Sequence, residues 1–381
     1  MTADPIYLDH NATTPVDARV LSAMLEYWGE HYGNPSSAHA YGDRPRGALA
    51  LARRQVADLL RARPAEIVFT GSGTEADHLA ILGVARARRA DGDHIVTQAT
   101  EHPAVLEACR VLATEHGFRV TVLSVDAAGL VHPEALESAL TSRTVLVSIM
   151  HANNETGTVQ PIRTLAALAH RVGATFHTDA AQSAGKILTD VDDLGVDLMT
   201  VVGHKMYGPK GVGALFVRSG TPIVAVVPGG GQERGLRGGT ENVPLIAGLG
   251  HACELSVEEG IPAMARVSAL RDRLHQRLEE LLPDRVQING HRTNRLPNTL
   301  NVSITGTRGD LVLTACPGLA ASTGSACHES VSRPSPVLTA MGIDGVRAGA
   351  ALRFSLGRTT TRGDVDTAAA DVATAVHRFS A

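Results

Sequence analysis

A lysine and a lone cysteine are the residues of this sequence best suited to covalent chemistry. Lys205 follows an apolar segment and precedes the Pro/Gly turn "YGPKGVG". A lysine in such restricted backbone is either a surface charge or a pocket amine, whose lowered pKa would favour a Schiff base. Cys327 lies in "STGSACHES", among small turn-forming residues that are typical of a loop. It is either an incidental surface thiol or a nucleophile that acts as its thiolate.

Further polar residues follow the predicted strands of the first half of the chain. "TGSGTE" (70–75) opens a helix after one strand, and His102 begins a helix after the next. "HANNETG" (151–157) ends a third strand, while Asp179 and Gln182 follow a fourth. Each segment alone is ambiguous, because Gly/Ser and Asn/Gly runs are mostly turns. Ligands of open α/β sheets bind at the carboxyl ends of strands, so their joint placement there predicts a site.

Three of these groups meet the requirements of pyridoxal phosphate. The cofactor needs a lysine for its aldehyde, an anion pocket for its phosphate and a carboxylate for its pyridine nitrogen. Lys205 supplies the first, and the helix N-terminus at Gly73 and Thr74 supplies the second. Asp179 supplies the third, and the ring nitrogen gives this carboxylate the cationic partner that it needs at the end of an apolar strand.

The elements that position these residues alternate between apolar strands and amphipathic helices. Continuous apolar strands separated by helices predict an α/β fold with a mainly parallel sheet covered on both faces. Between "DLMTVV" and "GVGALFVR" (211–218) there is little room for a helix, which predicts one antiparallel strand.

The pattern changes after Gly235–Gly239. Two long amphipathic helices, about 243–259 and 262–282, are followed by strands and by a last helix near 363–378. This order predicts a smaller α+β domain. We expect a large domain over 16–258 and a small domain built from 1–15 and 259–381.

Charge and composition narrow the class of protein. The 381 residues carry 35 Lys and Arg against 39 Asp and Glu, a formal charge of −4, and no basic block suggests direct nucleic-acid binding. The chain lacks an apolar stretch of about 18 residues and a secretory signal at its start. We expect a cytoplasmic protein without a metal site, because the four cysteines are spread as in a reducing compartment: Cys109, Cys253, Cys316 and Cys327.

Nine motifs occur in one order along the chain and resemble those of the cysteine desulfurases. These are pyridoxal-phosphate enzymes of the class V aminotransferase fold, here of the type related to iron–sulfur-cluster and nitrogen-fixation desulfurases. The resemblance covers roughly residues 6 to 362. Its motifs are "YLDHNATTPVD", "FTGSGTEAD", "TEHPAVL", "SIMHANNETG", "DAAQSAGK", "GHKMYGPKGVGAL", "GGGQERGLRGGTEN", "STGSAC" and "LRFSLGR".

The resemblance implies a role for each residue around the cofactor ring. Lys205 would form the Schiff base, and Asp179 would pair with the ring nitrogen. Gln182 would hydrogen-bond the ring hydroxyl oxygen, with Asn154 beside the ring and the substrate. His102 would stack on the ring and relay protons.

Other positions would bind the phosphate and the substrate. Gly73, Thr74 and His204 would hold the phosphate, and Thr240 would reach it from the partner subunit of a homodimer. Arg353 would clamp the carboxylate of L-cysteine, a role that suits a bidentate guanidinium.

Cys327 would attack the sulfur of the bound substrate, release L-alanine and keep a persulfide for a sulfur-acceptor protein. Iron–sulfur scaffolds, tRNA thiolation and DNA phosphorothioation would all use the same persulfide. Two departures from the family pattern are Val202, where many relatives have serine, and His78, where asparagine is usual. We expect them to weaken or rearrange contacts with the cofactor.

Two other functions fit parts of this pattern. An aminotransferase or a selenocysteine lyase would share the fold, but transamination needs no cysteine nucleophile. A scaffold protein of a sulfur pathway that has lost its cofactor would need neither Lys205 nor Asp179. The presence of both residues, together with Cys327, argues against the scaffold.

Overall fold

The structure is a computed structural model that describes residues 4–324 and 334–380. The apolar runs of the sequence form strands at the predicted places, and "HIVTQ" is a strand over its whole length. In chain order the strands are β1 (Ile6–Tyr7), β2 (Ile67–Thr70), β3 (His94–Gln98), β4 (Arg119–Leu123), β5 (Thr144–Ser148), β6 (Thr175–Asp179), β7 (Leu198–Val202), β8 (Gly213–Val217), β9 (Val286–Ile288), β10 (Thr299–Ile304), β11 (Leu319–Ala320) and β12 (Ala351–Ser355).

Helices connect most of these strands. In chain order they are α1 (Ala18–Leu25), α2 (Ala40–Leu60), α3 (Gly73–Ala87), α4 (Pro103–Glu115), α5 (Pro133–Ala139), α6 (Ile162–Arg171), α7 (Val191–Leu194), α8 (Val243–Leu255), α9 (Ile261–Leu281), α10 (Gly309–Thr314), α11 (Pro336–Ala340), α12 (Gly345–Gly349) and α13 (Arg362–Ser380). In the described part of the chain, none of them combines the length and the apolar character that crossing a bilayer requires.

The large sheet has the strand order β2-β8-β7-β6-β5-β3-β4. Strands β7, β6, β5, β3 and β4 pair in parallel, while β8 is antiparallel to both β7 and β2. The predicted α/β fold, with a mainly parallel sheet and one antiparallel strand, is therefore confirmed. Every residue of β3, β5, β6, β7 and β8 is buried, as expected when helices cover both faces.

The described residues form four apolar clusters, of which three are large. Phe176 and Phe216 face a core that includes α1, α2 and α8, while Leu215 faces a second core with α3 and α4. The third core lies around the antiparallel sheet β12-β10-β9, under α9 and α13, and includes Leu8 from the N-terminal segment. From this separate core we propose the division into a large domain over 16–258 and a small domain of 1–15 with 259–381.

The first helix is shorter than its sequence pattern suggests. Helical periodicity extends to "EYWGEH", but α1 ends at Leu25 and turns follow. Trp28 and Tyr32 expose 61% and 69% of their surface. Without an apolar face to bury against the core, this segment lacks the packing that stabilises most helices in proteins.

Glu233 joins the segment before α8 to strand β2. Its buried carboxylate accepts hydrogen bonds from Arg53 Nη1 at 2.8 Å and Nη2 at 2.6 Å, and from the Phe69 main-chain N–H at 2.8 Å. The backbone of Glu233 and of Arg234 is left-handed, with φ of 47° and 58°. These three bonds hold a strained turn against the sheet.

We expect Glu233→Ala to lower the free energy of unfolding by about 3 kcal/mol, because it leaves the largely buried Arg53 guanidinium without its anionic partner and the Phe69 N–H without its acceptor. Urea unfolding followed by circular dichroism measures this change. Glu107→Ala is the matched control, since it removes an exposed ion pair with Arg110 and should change stability by less than about 0.5 kcal/mol. Equal unfolding midpoints for the two variants would show that Glu233 has no structural role.

Candidate active site

The carboxyl ends of the parallel strands open into one cavity of about 650 Å³. Strands β3, β5, β6 and β7 run in parallel and therefore end at the same edge of the sheet. The cavity is lined by nine residues that the sequence analysis singled out: Gly73, Thr74, His102, Asn154, Asp179, Gln182, His204, Lys205 and Arg353.

Two predicted residues are not part of this lining. Thr240 is exposed, which leaves it outside the cavity of its own chain. Cys327 lies outside the described residues. Gly324 and Pro336, which lie on either side of the undescribed residues 325–333, do line the cavity.

Lys205 lies in a 3₁₀ turn directly after β7, where the strand reaches the cavity. Its Nζ atom donates hydrogen bonds to the main-chain carbonyls of Asn11 and Ala12, both at 2.7 Å. Asn11 comes from the motif "YLDHNATTPVD", so the N-terminal segment holds the amine in place. This position suits an amine that condenses with the aldehyde of a bound molecule.

Asp179 is the last residue of β6 and is 6% exposed. Burial raises the pKa of its carboxyl, although the Ala181 N–H, His102 and Lys205 each act in the opposite direction. The Ala181 N–H donates to Oδ1 at 2.8 Å. A cation beside a buried carboxylate stabilises its ionised form, so a protonated pyridine nitrogen fits this position.

Four further acids that the sequence analysis did not select line the same cavity: Asp77, Glu101, Glu107 and Glu155. Burial raises the pKa of Asp77 well above its usual range and raises that of Glu101 to about 8. Asp77 Oδ1 and Glu101 Oε2 are buried and accept no hydrogen bond from any residue that the structure describes. These oxygens and Asp179 make the cavity suitable for a ligand with a positively charged ring, as pyridoxal phosphate has.

His102 begins α4, and its ring is oriented by the helix. The Ala104 N–H donates to His102 Nδ1 at 3.2 Å. A nitrogen that accepts this bond carries no proton, so the neutral ring has its proton on Nε2. Burial lowers the pKa of His102, Asp179 opposes this shift, and Lys205 adds to it. The side chain is therefore a neutral imidazole that can stack on a ring and exchange a proton at Nε2.

The N-terminus of α3 provides amides for a phosphate. Ser72 caps the helix by accepting from the Glu75 N–H at 3.1 Å, which leaves the first-turn amides at Gly73 and Thr74 directed out of the helix. Burial, together with Lys205 and other nearby lysines, lowers the pKa of His204 to about 4. Neutral His204 would therefore contribute a hydrogen bond to the phosphate and no charge.

Val202, the departure from the family pattern, contacts this phosphate region through Gly73. A Cβ atom at position 73 would lie 2.4 Å from Val202 Cγ2, so the valine occupies the space that any larger residue there would need. The side chain of a β-branched residue is stiff and does not move aside easily. His78, the other departure, is partly buried on α3 and is not among the lining residues.

Arg353 on β12 is 2% exposed and brings positive charge to the cavity. Its Nη2 donates to Asp9 Oδ1 at 2.7 Å, and its Nη1 to the carbonyls of Asn154 and Gly324, each at 3.2 Å. Within residues 4–324 and 334–380, Nε has no hydrogen-bond partner. A guanidinium with an unused donor at a cavity fits a substrate carboxylate.

Glu155, beside Asn154, is a lining residue that sequence analysis missed. Its Oε2 accepts a hydrogen bond from Ser335 Oγ at 2.5 Å. Gly324 packs so closely on it that a Cβ there would lie 2.6 Å from Oε2. Glu155 thus contacts the chain on both sides of residues 325–333. The signal was its place in "HANNETG", directly after a predicted site residue.

We expect Gly73→Ala to destabilise the protein by about 2 kcal/mol and to weaken the binding of pyridoxal phosphate, because the new methyl group overlaps Val202. Val202→Ala should restore most of both losses in the double variant. Urea unfolding and a fluorescence titration with pyridoxal phosphate measure the two effects.

Gly47→Ala is the matched control, because no atom lies within 4 Å of the added Cβ on α2. A gain of about 0.5–1 kcal/mol in stability, with cofactor binding unchanged, is expected there. If the effects of Gly73→Ala and Val202→Ala are simply additive, the two side chains do not compete for one space.

Comparison with known proteins places the chain in a family. A family model described as aminotransferase class-V matches residues 6–367. The "Cysteine desulfurase IscS" of Anaeromyxobacter sp. (strain Fw109-5) is 48% identical over 365 residues, which cover 95% of this chain and 90% of that protein. A solved "NIFS-like protein" matches with a TM-score of 0.91 and 38% identity, over 98% of this chain and 100% of the other.

DndA from Streptomyces lividans matches less well, with a TM-score of 0.77 and 36% identity over 91% of this chain and 98% of the other. The family match spans almost all of the chain, and it agrees with the nine motifs and with the cavity that they form. The chain therefore belongs to the class V aminotransferase family and, within it, to the pyridoxal-phosphate-dependent cysteine desulfurases.

Proposed function

We propose that this enzyme converts L-cysteine to L-alanine and leaves a persulfide on Cys327 for transfer to an acceptor protein. The observation that carries the proposal is that Lys205, Asp179 and Arg353 line one cavity with Gly324. Cys327 follows Gly324 by three residues in the sequence. The thiol therefore belongs to the segment of the chain that comes directly after a residue of the cavity wall.

Each side chain has a task when the cofactor is bound. Pyridoxal phosphate supplies electron withdrawal from the α-carbon of an amino acid attached through its nitrogen. Lys205 would hold the cofactor and would take the α-proton of the substrate on Nζ. Asp179 would keep the pyridine nitrogen protonated, Arg353 would bind the substrate carboxylate, and His102 would exchange protons at Nε2.

The sulfur step belongs to Cys327. Its thiolate attacks the sulfur of the bound substrate, the bond between that sulfur and the β-carbon breaks, and the electron pair stays with the carbon. A proton then completes the methyl group, and Lys205 Nζ would return a proton to the α-carbon to give L-alanine. The enzyme keeps the transferred sulfur on Cys327 as a persulfide until a second thiol takes it.

We expect Cys327→Ser to bind pyridoxal phosphate normally and to lose more than about 10³-fold in sulfide release from L-cysteine, because serine cannot carry a persulfide. Lys205→Ala should lose the absorption band of the lysine-bound cofactor. Absorption spectra and a sulfide assay with a thiol reductant measure these outcomes.

Cys316→Ser is the control for the sulfur step, since a hydroxyl keeps the hydrogen bond that Cys316 Sγ donates to the Asp371 carbonyl. It should retain activity. Full sulfide release by Cys327→Ser would disprove the assignment of the nucleophile. Activity confined to selenocysteine would favour a lyase, and a protein that pyridoxal phosphate cannot reconstitute would favour a scaffold.

We propose further that the enzyme is a homodimer in which Thr240 reaches the phosphate of the partner subunit. Thr240 is exposed, and three aromatic side chains around α1 and the start of α2 expose more than half of their surface: Trp28, Tyr32 and Tyr41. Exposed apolar surface of this kind is typical of an interface.

Thr240→Val should weaken the binding of pyridoxal phosphate by about tenfold, because the phosphate loses one hydrogen bond to a charged group. Light scattering should give twice the mass of the chain for both the wild type and this variant. A monomeric wild type that binds pyridoxal phosphate with unchanged affinity after Thr240→Val would contradict the proposal.

The recipient of the sulfur is an acceptor protein in an iron–sulfur or thio-modification pathway, and we propose a cytoplasmic location. The three cysteines that the structure describes form no disulfide, which suits a reducing compartment. A role in DNA phosphorothioation has no specific support from the relatives. Transfer of labelled sulfur from Cys327 to candidate proteins would identify the recipient.

A further inference from the structure

Lys186 is a buried lysine to which the proposed reaction assigns no task. It ends the motif "DAAQSAGK" and is 7% exposed. Its Nζ donates to Gln182 Oε1 at 3.0 Å. None of the ion pairs formed by residues 4–324 and 334–380 includes it, so no acid there compensates its charge at short range. A buried ammonium without an acidic partner destabilises a fold, which indicates that the charge serves another purpose.

The contact with Lys186 determines how the Gln182 amide is oriented. An ammonium only donates, so the amide atom that faces it must be the carbonyl oxygen. The amide N–H₂ therefore points the other way, where Nε2 donates to the Asn11 carbonyl at 2.9 Å. The same carbonyl accepts the hydrogen bond from Lys205 Nζ at 2.7 Å. The donor end of Gln182 is thus fixed beside the reactive amine.

We propose that Lys186 is a positioning residue, which keeps the Gln182 N–H₂ directed at the Lys205 side of the cavity, where the ring oxygen of bound pyridoxal phosphate accepts it. The proposal rests on the proposed function for the cofactor contact of Gln182. It adds a second group that, together with the Asn11 carbonyl, prevents the amide from turning over.

The charges around Lys186 affect how the properties of the cavity depend on pH. Burial lowers the pKa of Lys186 to about 7, and Lys205 and Arg353 act in the same direction. Lys186 in turn contributes to the lowered pKa of His10 and of His204, both at about 4. The positive charge of Lys186 therefore acts on its surroundings below about pH 7 and fades above it.

The test measures the absorption of the cofactor in the holoenzyme as a function of pH. Its readout is the pH at the midpoint of the absorption change, and not activity. A donor on the ring oxygen and a nearby positive charge both stabilise the deprotonated, more negative form of the bound cofactor, so their loss raises the midpoint. We expect Gln182→Leu and Lys186→Met each to raise it by about one pH unit. Adding Gln182→Leu to Lys186→Met should cause a smaller further rise than Gln182→Leu causes in the wild type, because only the Asn11 carbonyl then orients the amide.

Lys186→Gln is the matched variant, since it removes the charge but keeps an N–H₂ group that can donate to Gln182 Oε1. In this background Gln182→Leu should again cause its full shift. If Gln182→Leu shifts the midpoint equally in the wild type and in Lys186→Met, Lys186 does not position the amide. Thermal unfolding of the apo variants controls for folding. A lysine that only supports the fold would change the unfolding temperature and leave the midpoint unchanged.

Failure of this proposal is distinguishable from failure of the proposed function. If Gln182→Leu alone leaves the midpoint unchanged, the cofactor contact of Gln182 is wrong, and the role of Lys186 is wrong with it. The cysteine and lysine variants at 327 and 205 test the reaction separately. Removing a buried charge that has no acidic partner relieves its desolvation cost, so Lys186→Met should fold. If it does not, Lys186→Leu takes its place in the comparison.

Discussion

The main chain and side chain of Asn11 connect the two halves of the active site. Its carbonyl accepts hydrogen bonds from Lys205 Nζ and Gln182 Nε2, both on loops of the large sheet. Its side-chain Nδ2 donates to Thr299 Oγ1 at 2.8 Å, and its main-chain N–H donates to Ser355 Oγ at 2.9 Å, both on the small antiparallel sheet. A single buried residue therefore fixes the distance between the strands that carry the amine and the strand that carries the guanidinium. The chemistry described above depends on that distance.

The second constraint on this cavity is the burial of its ionisable side chains. Its acids have raised pKa values and its histidines lowered ones, because the walls withhold the water that would stabilise charge. The ionised forms of these side chains are therefore unfavourable in the cavity. A ligand that is negative at one end and positive at the other would stabilise them. The helix N-terminus at α3 favours a negative group, and the acids Asp77, Glu101 and Asp179, which line the same cavity, favour a positive one. A cofactor with a phosphate and a pyridinium satisfies both together.

The sequence predicted the fold well where periodicity and chain length decide the structure. The apolar runs gave the strands, and the short gap before "GVGALFVR" predicted the antiparallel β8, because a parallel crossover needs about a dozen residues. The aromatic residues after Leu25 were misread as helix, since periodicity does not show whether a face finds a partner. Lys186 and Glu101 were missed for a related reason. From the sequence alone, a charged residue within a helical or loop pattern is expected to be exposed. Only the tertiary structure reveals the elements that cover it. The position of Cys327 lies outside the described residues, so its role rests on sequence and on the chain that flanks it.

The contact between Gly73 and Val202 also constrains the history of this protein. Two side chains that need the same space cannot be substituted in either order. A methyl group at 73 is tolerated only after Val202 has been replaced by a smaller residue. As long as valine occupies position 202, this chain is held at glycine at position 73. The departure from the family pattern at 202 thus closes one evolutionary path at the phosphate site while leaving the fold intact.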